Sequence, residues 1–576
     1  MKMLVLGLDG ATWDILDPLI SEGLLPNLGR LREEGASGTL DSVFPPLSPV
    51  AWTAVMTGKN SGKHGIFEFL ETSDDPLKVR VNSSRSIRAD LIWEIAARHG
   101  KRTVAGGVPM SYPPRPGRDF PGFFLGDFLS PEHAPDFASD SALFAELERV
   151  VGPYRPWSTA VHDGGNEAAV LDDLTAFLDQ HLRTIAFLMR RCSWDLLMFD
   201  VMATDRIGHE LWHVWDLSHP AARGREAELA ALRPRLLEFW KTVDRGVGAI
   251  AESLPSDASL LIMSDHGFGP IEKYVNFNVW LLEQGFIRLQ DSFYVKQKHW
   301  FYRRGVTPEG IYHLMTRLGL ASHRVSRFRG KQSGPLDRLG ESMLLSRRHI
   351  DWPRTRAYAQ GNFGQIFVNR KGRQAGGCVE PADVPAVRRD LKAALLELAD
   401  PETGQRLVER VHEGEELYQG PYAHLAPDLT VVLKDWRYRT IGLHDFTTNR
   451  VVSKAFGPTG DHRMEGILIA SGPAFRPGAV PSGADLLDIA PTVLHLMGVP
   501  VPDDMDGRVL HELLDPSADV DPADQAPIAV AAGSLYQSTL AALPSSFEGL
   551  AGALPSSYNE EDDASVQQRL ADLGYL

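Results

Sequence analysis

The chain of 576 residues is too long for one simple core, and with 43% hydrophobic and 23% charged residues it has the composition of an ordinary globular protein, not a disordered one. Its formal net charge of −16 repels a nucleic-acid backbone, so a polymeric DNA or RNA ligand is not expected, whereas small anions stay compatible because a local cation overrides the global sign. No stretch reaches the roughly 18 to 20 uninterrupted apolar residues of a spanning helix, and two cysteines, Cys192 and Cys378, cannot build a disulfide framework; both features fit the cytoplasm.

The first predicted element is the apolar run Leu4-Val5-Leu6-Gly7-Leu8, which ends in Asp9-Gly10 and is too short for a signal sequence. The runs at residues 194–200 and 259–265 repeat its form, each ending in aspartate. Being apolar on both faces, they suit interior strands of a parallel sheet covered by helices. Helical patterns occupy residues 172–191 and 223–252 between them. A further strand is expected at residues 466–470 and a helix at 485–497, stopped by Gly498 and Pro500. This alternation predicts an α/β fold, a central mostly parallel sheet sandwiched by helices, with chemistry at the carboxyl ends of the strands.

Residues 281–350 differ in kind, because Lys296, Lys298, Arg303, Arg304, Arg317, Arg324, Arg327, Arg329 and Lys331 crowd among aromatics in an otherwise acidic protein. With the short strand-like pieces at 365–369 and 428–433, they define an expected inserted α+β lobe over residues 282–456, leaving 1–281 and 457–514 as the catalytic domain. The basic cluster is either a solvated or subunit-contacting face, or a site for a remote anionic part of a substrate. Residues 515–576 read as a linker and tail that closes with a short amphipathic turn or two.

Five short segments carry residue types that bind metals or phosphate. Asp9 follows the first strand, where an aspartate before glycine is also an ordinary turn. Ser48-Pro49 has the form of a helix cap, yet a serine oxygen at a helix N-terminus also faces N–H groups that stabilise a phosphoryl group. Asp205 and His209, four residues apart, converge on one cation if the backbone between them is helical or tightly turned. Asp265-His266 ends a buried strand, where ionisable groups are costly unless paired or metal-bound. His462 precedes the last strand. Asp200 and His495 are candidates by type but rank below these, Asp200 because Asp205 has the better spacing to His209.

Taken in order, the five segments resemble the alkaline phosphatase superfamily, nearest its type I phosphodiesterase and nucleotide pyrophosphatase branch. The resemblance rests on Asp9, on Ser48 ahead of Thr57-Gly58 and His64-Gly65, on Asp205 with His209, on Asp265-His266-Gly267 and on His462, with Pro26-Asn27-Leu28 and Gly472-Pro473 also fitting. It covers residues 1–281 and 457–510, and the insertion and tail weakly or not at all. It implies two divalent ions, zinc or manganese, one held by Asp205, His209 and His462 and the other by Asp9, Ser48, Asp265 and His266. Such a pair, about 4 Å apart, clamps the oxygens of an in-line displacement and activates Ser48 as nucleophile, giving a seryl-phosphate-type intermediate.

The implied activity is hydrolysis of a phosphodiester or phosphoanhydride in a small organic phosphate. The alternatives are a phosphomonoesterase or phosphomutase on the same scaffold, and a catalytically vestigial metal-dependent binding protein. The chain departs from the branch at Ala51, where an asparagine commonly contacts a phosphate oxygen; Asn276 and Asn278 are the candidate replacements, with Lys59 and Asn60 behind them. The sequence Pro49-Val50-Ala51-Trp52 also lacks the arginine that the sulfatase branch needs after its nucleophile.

Overall fold

The fold is described from a computed structural model, which covers residues 1–516 and 558–575 except 72–74, 76, 79, 116–121, 133, 312–343 and 443–445. The strands in chain order are β1 (Lys2–Gly7), β2 (Ala36–Asp41), β3 (Thr103–Gly106), β4 (Gly122–Leu125), β5 (Leu196–Asp200), β6 (Ala258–Met263), β7 (Gly267–Pro270), β8 (Lys273–Asn276), β9 (Ala357–Ala359), β10 (Gln365–Val368), β11 (Val408–Glu413), β12 (Leu429–Leu433), β13 (Tyr438–Ile441), β14 (Val452–Lys454), β15 (Gly460–Arg463) and β16 (Glu465–Ser471). Seven of them form the main sheet in the order β2-β16-β6-β1-β5-β3-β4.

The three apolar runs singled out in the sequence become its adjacent centre. β1 pairs in parallel with β5 and β6, and the parallel pairing continues through β3 to β4. At the other edge β16 runs antiparallel to both β6 and β2. Every residue of β5 and β6 is buried, which accounts for the lack of alternation in their sequences. Helices Glu167–Arg191, Arg233–Glu252 and Pro26–Glu34 pack together as one flanking group, and Ser48–Thr57, Ile489–Leu496 and Ile92–Arg98 as another. The α/β sandwich expected from the alternation is what forms.

A second apolar cluster is drawn from residues 275–452 and is separate from the main core. It contains the antiparallel sheet β11-β12-β10-β9. Residues 558–575, read in the sequence as part of a tail, form helix Glu560–Asp572, whose Val566 and Leu570 are fully buried in the main core. Among the described residues no helix is long and apolar enough to cross a membrane.

Glu68 sits where the two clusters meet, its Oε1 accepting from Phe69 N at 2.9 Å, beside Gln365, whose Nε2 donates to Phe67 O at 3.1 Å. Burial pushes its carboxyl up from 4.5 to about 7. The folded chain therefore holds this proton more tightly than the unfolded chain does. The resulting stability is complete below the unfolded value, is lost as pH rises through 7, and amounts to about 3 kcal/mol at roughly 1.4 kcal/mol per pKa unit. Thermal melts should accordingly show Glu68→Gln more stable than wild type at pH 8.5 and equal to it near pH 4.5; an equal difference at both pH values would contradict the assignment.

Candidate metal and phosphate centre

Strand register brings the ligand types together. Gly7 of β1 lies opposite Asp200 of β5 and Met263 of β6, so the chain leaves all three strands at one level and delivers Asp9, Asp200 and Asp265 to one place. Gly10 turns the chain after β1 with φ +65°, and its N–H donates to Asp265 Oδ1 at 3.3 Å. Asp205 and His209 lie one turn apart in helix Ala203–Trp215, with Asp205 Oδ1 3.3 Å from His209 Nε2. The two-stranded ribbon β15-β7 pairs His462 with Phe268 and so carries His462 alongside His266, the rings stacking at 3.6 Å.

The hydrogen bonds fix which ring nitrogens face inward. His209 Nδ1 bonds Gly460 O at 3.0 Å, His462 Nδ1 bonds Pro46 O at 2.7 Å and His266 Nδ1 bonds Gly267 O at 3.0 Å. Carbonyl oxygens only accept, so each Nδ1 carries a proton and each Nε2 of a neutral ring presents a lone pair. The Nε2 atoms of His209 and His462 then face each other at 3.0 Å, and two such acceptors are reconciled by a proton on one ring or by a metal ion bound to both.

The carboxylates obey the same rule. Asp205, Asp9 and Asp265 each have one oxygen held by a protein donor: Tyr575 Oη at 2.6 Å, Trp52 Nε1 at 3.4 Å and Gly10 N at 3.3 Å respectively. Their other oxygens have no donor among the described residues and lie 3.3 to 3.5 Å from imidazole Nε2 atoms. Asp205 Oδ1 is 3.3 Å from His209 Nε2 and 3.4 Å from His462 Nε2; Asp205 also groups with His266 and His462, and His209 with Asp461 and His462, while Asp9, Asp265 and His266 form the adjoining group.

Burial, and then the charges of its neighbours, push Asp9, Asp200 and Asp265 well above the usual carboxylate range. Burial acts the same way on Asp205, but positive charge on His209 and His462, protonated while no metal ion is bound, holds it well below that range. Burial and the nearby His462 depress His266. Carboxylates crowded in a dry interior are costly unless divalent cations neutralise them, and outward Nδ1–H bonds with inward Nε2 lone pairs are how metal-binding histidines are held. The donor set fits metal ions. Asp200 was ranked below Asp205 on spacing, yet the fold brings both to the same cluster.

Ser48 does not cap its helix. Leu47 occupies that position with extended backbone, Ser48 is the first helical residue, and Pro49 follows without an N–H to satisfy. The serine is bracketed by two contacts to the cluster: Pro46 O receives His462 Nδ1, and Trp52, one turn after Ser48 on the same helix face, reaches Asp9. Gly7 keeps this packing possible, since a Cβ there would stand 2.5 Å from the Trp52 ring.

The four candidate replacements for the missing asparagine are committed elsewhere. Asn276 Nδ2 bonds Arg450 O and Ser453 Oγ, and Asn278 Nδ2 bonds Ala359 O and Gly442 O. Lys59 pairs with Asp504, and Asn60 binds Leu417 O while capping Gly62 N. Asn276 and Asn278 therefore hold together backbone from residues 359, 442 and 450 instead of presenting amides to phosphate. His495 is buried in helix Ile489–Leu496 with its ring against His511.

The sequence reading missed a wall around His462 lined by Phe44, Asn362, Phe363, Trp436 and Arg439. Phe363 stacks on His462 at 5.9 Å, and Arg439 pairs with Asp461 at 3.3 Å. These residues come from three separate stretches, at Phe44, at Asn362-Phe363 and at residues 436–439, and carry no motif. A second group, His162, Glu167 and His213, is already neutralised by Arg225, whose two amino groups bind Glu167 at 2.6 and 3.0 Å.

In the basic region, Lys296 pairs with Asp291, Lys298 bonds Leu344 O, and Arg304 stacks on Trp300 at 3.6 Å. Arg317, Arg324, Arg327, Arg329 and Lys331 lie outside the described residues. With these local partners, neutralising Arg303 and Arg304 together should change kcat/KM equally for a polyanionic and a singly charged phosphodiester. A selective loss on the polyanion that shrinks with salt would instead make the lobe a substrate site, because exposed charges are screened over about 8 Å at physiological ionic strength.

The sequence model for type I phosphodiesterase / nucleotide pyrophosphatase matches residues 3–445, extending through most of the inserted lobe and stopping short of His462. Among solved structures, the chain is similar to phosphonoacetate hydrolase from Sinorhizobium meliloti 1021 in complex with phosphonoacetate, at 15% identity and TM-score 0.51, covering 85% of this chain and 94% of the other. It also matches human ectonucleotide pyrophosphatase / phosphodiesterase 5 at 14% identity and TM-score 0.46, covering 89% and 100%. The murine form in complex with AMP matches at 14% and 0.45, with the same coverage. No curated protein sequence is similar enough to add to these comparisons. The family match over most of its length makes this chain a member of the type I phosphodiesterase / nucleotide pyrophosphatase family, within the alkaline phosphatase superfamily, and a hydrolase of that type.

Proposed function

We propose that the protein is a two-metal phosphodiesterase or pyrophosphatase that cleaves a small organic phosphate through covalent attack by Ser48, and that it works in the cytoplasm. The observation that carries this reading is the convergence of unbonded carboxylate oxygens and imidazole lone pairs beside the first residue of helix Ser48–Thr57. Asp205, His209 and His462 would hold one ion, and Asp9, Ser48, Asp265 and His266 the other; the mixed oxygen and nitrogen donors suit zinc, and manganese also. When bound, such ions supply positive charge that lowers the pKa of a hydroxyl or water and offsets charge on the phosphoryl oxygens.

The protein's own residues do the rest. The Ser48 hydroxyl attacks phosphorus and displaces the leaving oxygen, and water then releases the phosphoryl group from the serine. Phe44, Phe363 and Trp436 line a narrow wall beside His462, and the organic part of the substrate would lie against its aromatic surface. Phosphonoacetate, bound by one structural neighbour, is a small organic phosphorus oxyanion, a phosphonate and not a phosphodiester.

A phosphomonoesterase or phosphomutase is the second reading, favoured by the absence of the asparagine at Ala51. The test is turnover by zinc- and manganese-loaded protein of matched chromogenic mono- and diesters. Faster diester cleavage supports the proposal and faster monoester cleavage the second reading. No turnover of either by metal-loaded protein leaves a binding protein.

A further inference from the structure

The segment after the linker is built into the centre. Asn559 caps helix Glu560–Asp572 by accepting from Asp562 N at 2.8 Å, four acidic residues fill its first turn, and Val566, Leu570 and Leu573 form its buried stripe. Gly574, at φ +87°, reverses the chain so that Tyr575 N returns to Leu570 O at 2.9 Å. Four distant parts of the protein grip it. Arg569 donates to Phe128 O and Ser130 O, both at 2.7 Å; the fully buried Arg206 donates to Leu573 O at 2.8 Å; Val81 N donates to Asp563; and Asn362 Nδ2 donates to Tyr575 O at 3.1 Å.

The result is a specific placement of one hydroxyl. Tyr575 Oη lies 2.6 Å from Asp205 Oδ2, whereas Asp205 Oδ1 is the oxygen that faces His209 and His462. The ring stands edge-on to His209 with centroids 5.6 Å apart. The hydroxyl thus takes the outer carboxylate oxygen and leaves the inner one directed at the imidazole nitrogens. A segment that plugged the centre would bond the inner atoms, but Asp205 Oδ1 and His266 Nε2 remain without hydrogen-bond partners among the described residues.

We infer that Tyr575 is a positioning residue of the catalytic centre, acting through Asp205, and that residues 558–575 exist to deliver it. The inference rests on the metal-dependent reading proposed above. Partners of this kind around metal ligands typically change metal affinity or activity by about 10- to 100-fold when removed.

The test uses full-length wild type and Tyr575→Phe, which keeps the ring and deletes only the hydroxyl. Zinc affinity is measured by competition with a chromophoric chelator, alongside thermal melts of the metal-free proteins and kcat and KM for a chromogenic diester. The expected result is an unchanged metal-free melt, a loss of about 10- to 100-fold in affinity at one of the two zinc sites, and a lower kcat with little change in KM that excess zinc partly restores. Wild-type zinc affinity together with wild-type kcat in the variant overturns the inference. So does a rise in kcat, which would make the segment inhibitory. A change in the metal-free melt alone, with affinity unaltered, overturns it in favour of a purely structural role. Failure of wild type itself to bind zinc would sink the metal-dependent reading and this inference with it, an outcome distinct from the others.

Discussion

Ser48→Ala should lower turnover of a phosphodiester by at least about 10³-fold if, as proposed, Ser48 is the group that bonds covalently to phosphorus. Most of the donors remain in this variant. Asp205, His209 and His462 do not involve Ser48, and Asp9, Asp265 and His266 keep their mutual distances, so metal content should stay close to wild type. Helix Ser48–Thr57 should also survive, since Leu47 caps it and Ser48 makes no side-chain cap bond. Stability and activity are thereby separated: an unchanged melt with lost turnover is the expected pair. Near-normal turnover in Ser48→Ala would mean that water attacks phosphorus directly.

The second large effect concerns the metals themselves. Asp265→Asn and His266→Ala should each remove one ion per chain by elemental analysis and abolish most activity, because Asp9, Asp265 and His266 form a single donor group. The substitutions differ in what they leave behind. Asp265→Asn can retain the contact to Gly10 N through its amide oxygen but presents a neutral group where the charged Oδ2 stood 3.4 Å from His266 Nε2. His266→Ala removes the ring that stacks on His462 and so loosens both halves. Asp265→Asn should therefore spare the ion at Asp205, His209 and His462 more fully than His266→Ala does. Unchanged stoichiometry in both variants would contradict the ligand assignment.

Much of the centre was legible in the sequence because its donors follow strands that announce themselves. An interior parallel strand is apolar on both faces, and where such a run stops at an ionisable residue, as at Asp9, Asp200 and Asp265, that residue emerges at the carboxyl edge of the sheet. The i, i+4 spacing of Asp205 and His209 was likewise readable, since a helix places them on one face. Asp200 also stands near the cluster, because register pairs it with Gly7, but Asp205 is the one that shares a donor group with imidazoles.

The remainder of the site was invisible for a physical reason. Phe363, Trp436 and Arg439 line one wall beside His462 only through tertiary folding, and Tyr575 arrives from residues 558–575, far from Asp205 in sequence. None has a local pattern that distinguishes it from a buried aromatic or a surface arginine. Asn276 and Asn278 show the converse. Their position just after Asp265-His266 suggested phosphate binding, but β8 carries Asn276 into a sheet with β13 and β14, and both amides are consumed by backbone carbonyls.

The central claim is covalent catalysis at Ser48, and the stereochemistry at phosphorus tests it most directly. Metal-loaded wild type would be given a single diastereomer of a phosphorothioate diester in ¹⁸O-labelled water, and the configuration of the product determined. Attack by Ser48 followed by attack of water is two in-line displacements, each inverting phosphorus, so the account predicts net retention. Net inversion would show a single displacement by water and contradict it.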